Sequence, residues 1–299
     1  IALDALKENV EAAQKEESYG SQCTGSVVVL DVNDFSVLCA QSYPNYDLDK
    51  YMNDPQYRED LLLNKDGQNA MWNRCFWQGY PIGSAMKPAV ALAALQEGVI
   101  DTSTQFRCGY TYYNADMPDF HPLCMGTHGY LNVIEALTVS CNIFFYDTGY
   151  NLGIDNMNLY QRKLGLGELT GVEIYESDGT LAGPDEKEDW YGGDTIMAAI
   201  GQSDNLITPV QLATYAATIA NNGTRLRTHV VDKITDYSRQ TVLEETKPEV
   251  VEENIFDQEV LETVKGAMRN VVTSPSGTGY YSYGSYEIPI AAKTGTAQT

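Results

Sequence analysis

Basic residues are scarce in this chain. Lys and Arg total 19 against 41 Asp and Glu, a formal net charge of −22 at pH 7. A surface this acidic repels phosphate backbones and anionic headgroups, which argues against nucleic acid as a partner and against direct adhesion to a membrane surface. The plain reading of the charge is a solvated acidic face. Long apolar runs are missing as well. No stretch approaches the roughly 20 residues of a membrane span, and no secretory signal is visible. Six cysteines in 299 residues are too few for a disulfide scaffold, and Cys23 and Cys39, beside and within apparent strands, read as core or surface thiols. There is no internal repeat and no low-complexity tract. What remains is globular: 43% hydrophobic residues in 33.0 kDa, ample for a sizeable core. The chain opens abruptly in an amphipathic helix, Ile1 to Glu17. It stops four residues after Gly295, within an apparent strand, so it reads as a fragment of a longer protein.

Strand signals lie at both ends and helical ones between. Gly25 to Ala40 is a predicted hairpin: the β-branched run Ser26 to Asp31, turn residues Val32 to Phe35, and a return over Ser36 to Ala40. The tract Tyr57 to Asn73 carries short helical pieces at best. A strong helix then opens at Ser84 and ends near Gly98, with Pro88 in its first turn, where a missing N–H costs nothing. Further helices are expected over Leu131 to Ser140 with Asn132 near the cap, Asn142 to Leu152, Asn156 to Leu164, Asp194 to Ile200 and Thr208 to Ala220; residues 171–193 read as exposed loop. Arg225 to Asp236 and Gln240 to Thr246 read as strands, Ile255 to Val272 as an amphipathic helix, and Ile288 to Thr296 as a final strand. The expected fold class is therefore α+β: one antiparallel sheet flanked by helices, interrupted by a large helical insertion.

Ser84-x-x-Lys87 places a hydroxyl and an amine about one helical turn apart on one face. A desolvated lysine can act as the base that a serine nucleophile needs, and the helix N-terminus offers N–H groups to an oxyanion. Alone, such a pair is near chance for a chain of this length. Two more motifs follow: Ser140-Cys141-Asn142 at a helix junction, and Lys293-Thr294-Gly295 on an apparent strand. Each also has a bland reading, as helix capping or as a sheet-edge lysine before a bend. A literal Ser203-Asp204-Asn205 is read as turn and cap chemistry, because it follows Gly201-Gln202 and precedes Thr208-Pro209.

In that order and context the three motifs resemble the transpeptidase domain of class B penicillin-binding proteins, nearest the penicillin-binding protein 2 group. Ser42-Tyr43-Pro44-x-Tyr46-Asp47, His128-Gly129, Phe144 to Tyr146, Gly165-Leu166-Gly167, Ala199 to Gln202 and Thr208-Pro209-x-Gln211 continue the resemblance over nearly the whole chain, and Thr273 to Gly279 and Ala292 to Gln298 close it. Pro81-Ile82-Gly83 and Ala85-Met86 depart from the family at non-reacting positions. The resemblance implies one domain over 1–299, with sheet parts at about 21–43 and 225–299 and a helical part at about 44–224. Its C-terminal sheet and helix would lie beyond this chain. It implies a serine D,D-transpeptidase that cross-links peptidoglycan stem peptides and is acylated by β-lactams. Catalytic roles fall to Ser84, Lys87, Ser140 and Asn142; substrate binding falls to Lys293, Thr294, Gly295 and Thr296, with the N–H groups of Ser84 and Thr296 as oxyanion hole. No metal or organic cofactor is required. The implied partners are D-Ala-D-Ala stem peptides, β-lactams and a membrane-embedded cell-wall polymerase, and the implied location is the extracytoplasmic face of the bacterial membrane, held by an anchor absent here. A β-lactam sensor domain, acylated without turnover, is the alternative. A class A β-lactamase is disfavoured because the chain has no Glu-x-x-Leu-Asn segment.

Cys108, His121, Cys124 and His128 fall within 21 residues, with Asp116 and Asp119 among them. Separate structural roles, a Cys108–Cys124 disulfide and a zinc site all stay open, and the spacing matches no standard zinc finger. Tyr280, Tyr281, Tyr283 and Tyr286, ahead of the third motif, fit either an acceptor cleft or a surface turn.

Overall fold

In the computed structural model residues 1–15 and 23–297 are described; Glu16, Glu17 and Gln298, which the sequence reading included, lie outside them. The chain begins with α1 (Ala2–Ala13), which lies against a hairpin of β1 (Gly25–Leu30) and β2 (Val37–Tyr43). The two strands pair antiparallel from Gly25↔Tyr43 to Leu30↔Val37, with a bulge at Val29/Leu30. The turn between them is built by Asp31 and Asp34, whose carboxylates accept the N–H groups of Asn33 and Ser36. Two short helices, α2 (Leu48–Asn53) and α3 (Pro55–Leu62), follow, each started by an aspartate cap.

A 3-10 turn over Gly83–Met86 runs into α4 (Lys87–Gln96). Every residue of α4 from Lys87 to Ala94 is buried. A helix that is apolar all round can sit only in the centre of a core, and α4 is packed by α5 (Val133–Thr138), α6 (Asn142–Leu152), α7 (Ile154–Lys163) and α10 (Gln258–Thr273). A short ladder, β3 (Phe106–Cys108) with β4 (Gly129–Leu131), closes the loop between α4 and α5. The remaining elements are α8 (Gly192–Ala198), α9 (Pro209–Ala220), β5 (Arg225–Leu226), β6 (Lys233–Thr235), β7 (Val242–Glu245), β8 (Val250–Glu252) and α11 (Tyr280–Tyr283). Among the described residues no helix is long and apolar enough to cross a membrane.

Several expectations needed adjusting. Among the described residues the single antiparallel sheet is instead four two-stranded antiparallel ladders, β1–β2, β3–β4, β5–β8 and β6–β7. Arg225 to Asp236 is two short strands, and β8 was not anticipated. Ile288 to Thr296 forms no strand. Backbone in a strand needs a neighbour to pair with, and this segment lies along helix instead: the Ala292 N–H donates to Met268 O at 3.0 Å, and Arg269 Nη1 donates to Ile290 O at 2.5 Å. Helix α5 is shorter than expected because Leu131 belongs to β4, while the Asn132 cap is real and closes a capping box with Glu135.

Candidate active site

The first motif straddles a change of helix type. Ser84 sits in the 3-10 turn, and Lys87 is the first residue of α4. Gly83 makes the turn possible. Its φ is +53°, in the left-handed region, and a Cβ there would stand 2.1 Å from Thr296 O. Gly201 (φ +71°) backs the same turn from the other side, and its Cβ would lie 2.1 Å from Gly83 O. Gly295 also needs its missing side chain, because a Cβ would meet Ile82 O at 2.7 Å. The resemblance assigns that glycine to substrate binding; the close contact seen in the structure is with the protein's own backbone. Three backbone segments far apart in sequence are thereby pressed together around Ser84.

The second motif is a break between helices. Ser140 has φ +57°, strained for a residue with a side chain. Cys141 is extended and starts α6, with Asn142 as its first helical residue. The kink turns both polar side chains toward α4. Lys87 is fully buried (0% exposed), and its Nζ donates to Ser140 O and to Asn142 Oδ1, each at 2.7 Å, with Ser140 Oγ at 3.3 Å. The Asn142 amide is held at its other end by donating from Nδ2 to Leu123 O at 3.2 Å. From the third motif, Lys293 Nζ donates to the same Ser140 Oγ at 2.8 Å and to Thr294 O at 2.9 Å. One serine hydroxyl thus stands between two amines. Burial lowers the Lys87 ammonium from its ordinary range to about 7, opposed by the Cys141 and Cys124 sulfurs. Burial, and then the charge on Lys87, lowers Lys293 to about 7. The repulsion is mutual, so the two amines resist being charged together.

These groups open into a cavity of about 650 Å³. Ser84, Ser140, Asn142, Thr294 and Thr296 line it, so the three motifs converge on one space. Lys87 lies beneath it, and Gly295 is packed against the 3-10 turn. Sequence reasoning gave no role to two other lining residues. Thr278 Oγ1 shares a hydrogen bond of 2.8 Å with Thr294 Oγ1, and Gln202 Nε2 donates to Thr296 O at 3.4 Å. Both sit in segments quoted for the family resemblance, which was the only signal available. Phe120, Leu123 and Met125 add an apolar wall. Asn205 of the literal Ser-Asp-Asn is buried elsewhere: its Oδ1 accepts the Ala182 N–H at 3.0 Å and its Nδ2 donates to Gln202 O at 2.9 Å. It ties two loops together. The tyrosines Tyr281, Tyr283 and Tyr286 are exposed.

Directly behind the second motif lies a sulfur-rich cluster. The ligand atoms of Cys108, Cys124, His128 and Cys141 are all within 4.8 Å of one another. Sequence reasoning grouped three of them, missed Cys141, and included His121, whose ring instead lies tilted against Tyr113 with centroids 4.7 Å apart. The Cys108–Cys124 disulfide, one of the three readings left open, is not formed, and both are free thiols. Cys124 and Cys141 share a 3.8 Å hydrogen bond between sulfurs. Cys124 Sγ also accepts the Asn142 N–H at 3.2 Å. That shared bond, with backbone N–H groups, holds Cys124 below the usual thiol range, while the same bond and burial push Cys141 up. Three thiols and an imidazole are a donor set that suits a structural zinc ion. Cys108, Cys124, Cys141 and His128 would hold it, and it would supply a fixed cross-link between the 108–128 loop and the second motif.

Comparisons with known proteins show the family and the fold. The family model described as the penicillin binding protein transpeptidase domain matches residues 25–299. The Haemophilus influenzae peptidoglycan D,D-transpeptidase MrdA is 32% identical over 283 residues, which is 92% of this chain and 43% of that protein. A chain from a peptidoglycan synthase complex that coordinates polymerization and crosslinking superposes with a TM-score of 0.85 at 29% identity, covering 100% of this chain and 50% of that one. Pseudomonas aeruginosa PBP2, solved in complex with WCK 5153, superposes with a TM-score of 0.80 at 27% identity over 98% of this chain and 66% of that one. The chain spans less than half the length of the MrdA relative it matches. By its motifs, its fold and these matches, the chain belongs to the penicillin-binding protein transpeptidase domain family, of the PBP2/MrdA type.

Proposed function

We propose that this domain is the catalytic part of a peptidoglycan D,D-transpeptidase that is also acylated by β-lactams. The observation that carries the reading is the position of Ser140 Oγ, 3.3 Å from Lys87 Nζ and 2.8 Å from Lys293 Nζ, in a cavity that Ser84 also lines. Neutral Lys87 takes the proton of Ser84 as Oγ attacks the penultimate D-alanine carbonyl of a stem peptide. The N–H groups of Ser84 and Thr296 stabilise the oxyanion. Ser140 passes a proton to the leaving D-alanine, and an acyl-enzyme remains on Ser84. The amine of a second stem peptide then attacks that ester, and Ser84 recovers its proton. Charged Lys293, with the hydroxyl of Thr294, binds the donor carboxylate. Asn142 aims Lys87. The whole protein would work on the outer face of the bacterial membrane with a glycan-polymerising partner, in keeping with the synthase complex that holds its structural relative.

Labelling with a fluorescent penicillin tests the reading. The full-length protein is expected to form a covalent adduct that maps to Ser84 and is absent from Ser84→Ala. An adduct that persists in that variant, or none in the parent, overturns it. The pH profile follows from the amines. At low pH both are charged and Lys87 cannot accept a proton; at high pH both are neutral and the carboxylate clamp is lost. The acylation rate constant is therefore expected to be bell-shaped around neutrality, each limb belonging to the coupled pair. Rapid-quench acylation between pH 5 and 9 reads it, and a rate that climbs to a plateau above about pH 9 would rule out the charged role of Lys293.

A further inference from the structure

Two of the chain's three tryptophans lie side by side at the surface. Trp72 is 43% exposed and Trp77 38%, and Tyr175 beside them is 74% exposed. The Trp72 and Trp77 ring centroids are 5.6 Å apart at 89°, and those of Trp77 and Tyr175 are 6.3 Å apart at 69°. Such edge-on contacts fix neighbouring rings without covering both faces of either. The backbone beneath is firmly held. Arg74, itself buried, donates from Nη1 to Asn69 O at 3.2 Å and Trp72 O at 3.3 Å, and from Nη2 to Gln68 O at 3.0 Å. Cys75 and Phe76 pack with Val172 and Val210 in a small core of their own. The Ser177 N–H donates to Phe76 O at 2.8 Å, which ties the tyrosine loop to the tryptophan loop. Exposed aromatic area on a preorganised backbone is the mark of a recognition surface.

The polar groups around the rings select the ligand. Glu173 and Glu176, on either side of Tyr175, are engaged by the protein's own loops. Glu173 accepts the Val230 N–H at 2.8 Å, and Glu176 accepts from Thr170 Oγ1 at 2.8 Å and from the Gly171 N–H at 2.9 Å. The indole N–H groups of Trp72 and Trp77 and the Tyr175 hydroxyl have no hydrogen-bond partner among the described residues. The amide side chains of Gln68, Asn69 and Gln78 are exposed in the same tract. Open ring faces with neutral donors and acceptors at their edges match a neutral sugar, which has C–H groups on its ring face and hydroxyls and acetamides on its rim. An anionic lipid surface is a poor match for a chain of net charge −22. The position suits a strand whose peptides reach Ser84. Thr180 and Leu206 exchange backbone hydrogen bonds at 2.7 and 2.9 Å, and Tyr80 and Ile207 do so at 2.9 Å. Both loops are thereby stitched to one segment, and the chain runs from Trp77 through Tyr80 into the Ser84 turn.

We propose that Trp72, Trp77 and Tyr175 form a glycan-binding platform, separate from the catalytic cavity, for the polymer of N-acetylated amino sugars from which the stem peptides hang. Sugar C–H groups lie on the negative ring faces, while hydroxyls and acetamides meet the indole N–H groups and the nearby amides. The platform takes no part in acyl transfer; it keeps the strand beside Ser84. The choice of sugar rests on the transpeptidase reading, whose donor peptides hang from such a strand.

The experiment uses the full-length protein carrying Ser84→Ala, so that no covalent step intervenes. The probes are an N-acetylglucosamine tetramer and peptide-free glycan strands. Saturation-transfer NMR reads which sugar protons touch the protein, and calorimetry reads affinity. Transfer is expected to be strongest to the sugar-ring C–H protons. Trp72→Ala combined with Trp77→Ala is expected to weaken strand binding by about tenfold or more, and Tyr175→Ala by about threefold. Tyr175 is exposed enough that its loss leaves folding intact, and Trp77→Phe, which keeps a ring, is expected to bind within about threefold of the parent. No saturation transfer in the parent, or parental strand affinity in the double variant, would overturn the proposal. So would phosphatidylglycerol vesicles, or a polymerase partner, that the double variant no longer binds while its strand affinity is unchanged. Penicillin labelling of the protein with Ser84 intact is a separate readout: its absence counts against the transpeptidase reading, and strand binding still decides the platform.

Discussion

Lys87→Met is expected to slow acylation of Ser84 by about 10³-fold while the protein stays folded, since a positioned general base is worth about 10²–10⁴. The fold should tolerate the change because methionine is unbranched like lysine, only one heavy atom shorter, and adaptable in a buried site. The cost is confined to Ser140 O and Asn142 Oδ1, which lose their 2.7 Å donor, about 1–3 kcal/mol for buried acceptors left unpaired. Lys87→Arg separates charge from basicity. Arginine keeps a positive donor at this position but stays protonated, so it cannot take a proton from serine. Both variants should therefore label slowly, with circular dichroism and thermal melting as controls on folding. An arginine variant that labels at the parent rate would sink the assignment of Lys87 as base.

Gly83→Ala is expected to be severely damaging for so small a change. A single methyl group would have to fit 2.1 Å from Thr296 O, in a residue whose φ of +53° already disfavours any side chain. The left-handed conformation alone costs about 1–2 kcal/mol, and the contact cannot be relieved by a side-chain rotation because its partner is backbone. Either the 3-10 turn moves and takes Ser84 with it, or the Thr294–Thr296 segment moves away from the cavity. Penicillin labelling is expected to fall by more than 10²-fold, with a lowered melting temperature. Gly201→Ala approaches the same turn from the opposite side, with Gly83 O at 2.1 Å, and should act alike. Parent-like labelling in Gly83→Ala would show that the close contact is not needed to set the site.

The serine, the lysines and the asparagine were legible because their chemistry and order are stated locally. Ser84 and Lys87 share a helical face by spacing alone, and Asn132 and Thr208 announce helix starts through side chains that cap the turn beside them. Helix α6 begins and ends where the sequence said, since an apolar run bounded by Asn142 and Gly153 has few alternatives. The strands were less legible. The tract Ile288 to Thr296 has strand composition, yet composition cannot supply a partner, and the segment lies against α10 and the Ser84 turn instead.

By itself, then, the sequence determined the family, the three motifs and the helices beside the first two. Each of these depends on residues close together in the chain or on the order in which they occur. Only the tertiary structure decided how the motifs are held. It placed Ser140 Oγ between two amines, gave Gly83, Gly201 and Gly295 a common reason to be glycine, and brought Cys141 to the sulfurs of Cys108 and Cys124. Those facts depend on distances between residues remote in sequence. The burial that lowers Lys87 and Lys293 likewise exists only once the core has closed around them.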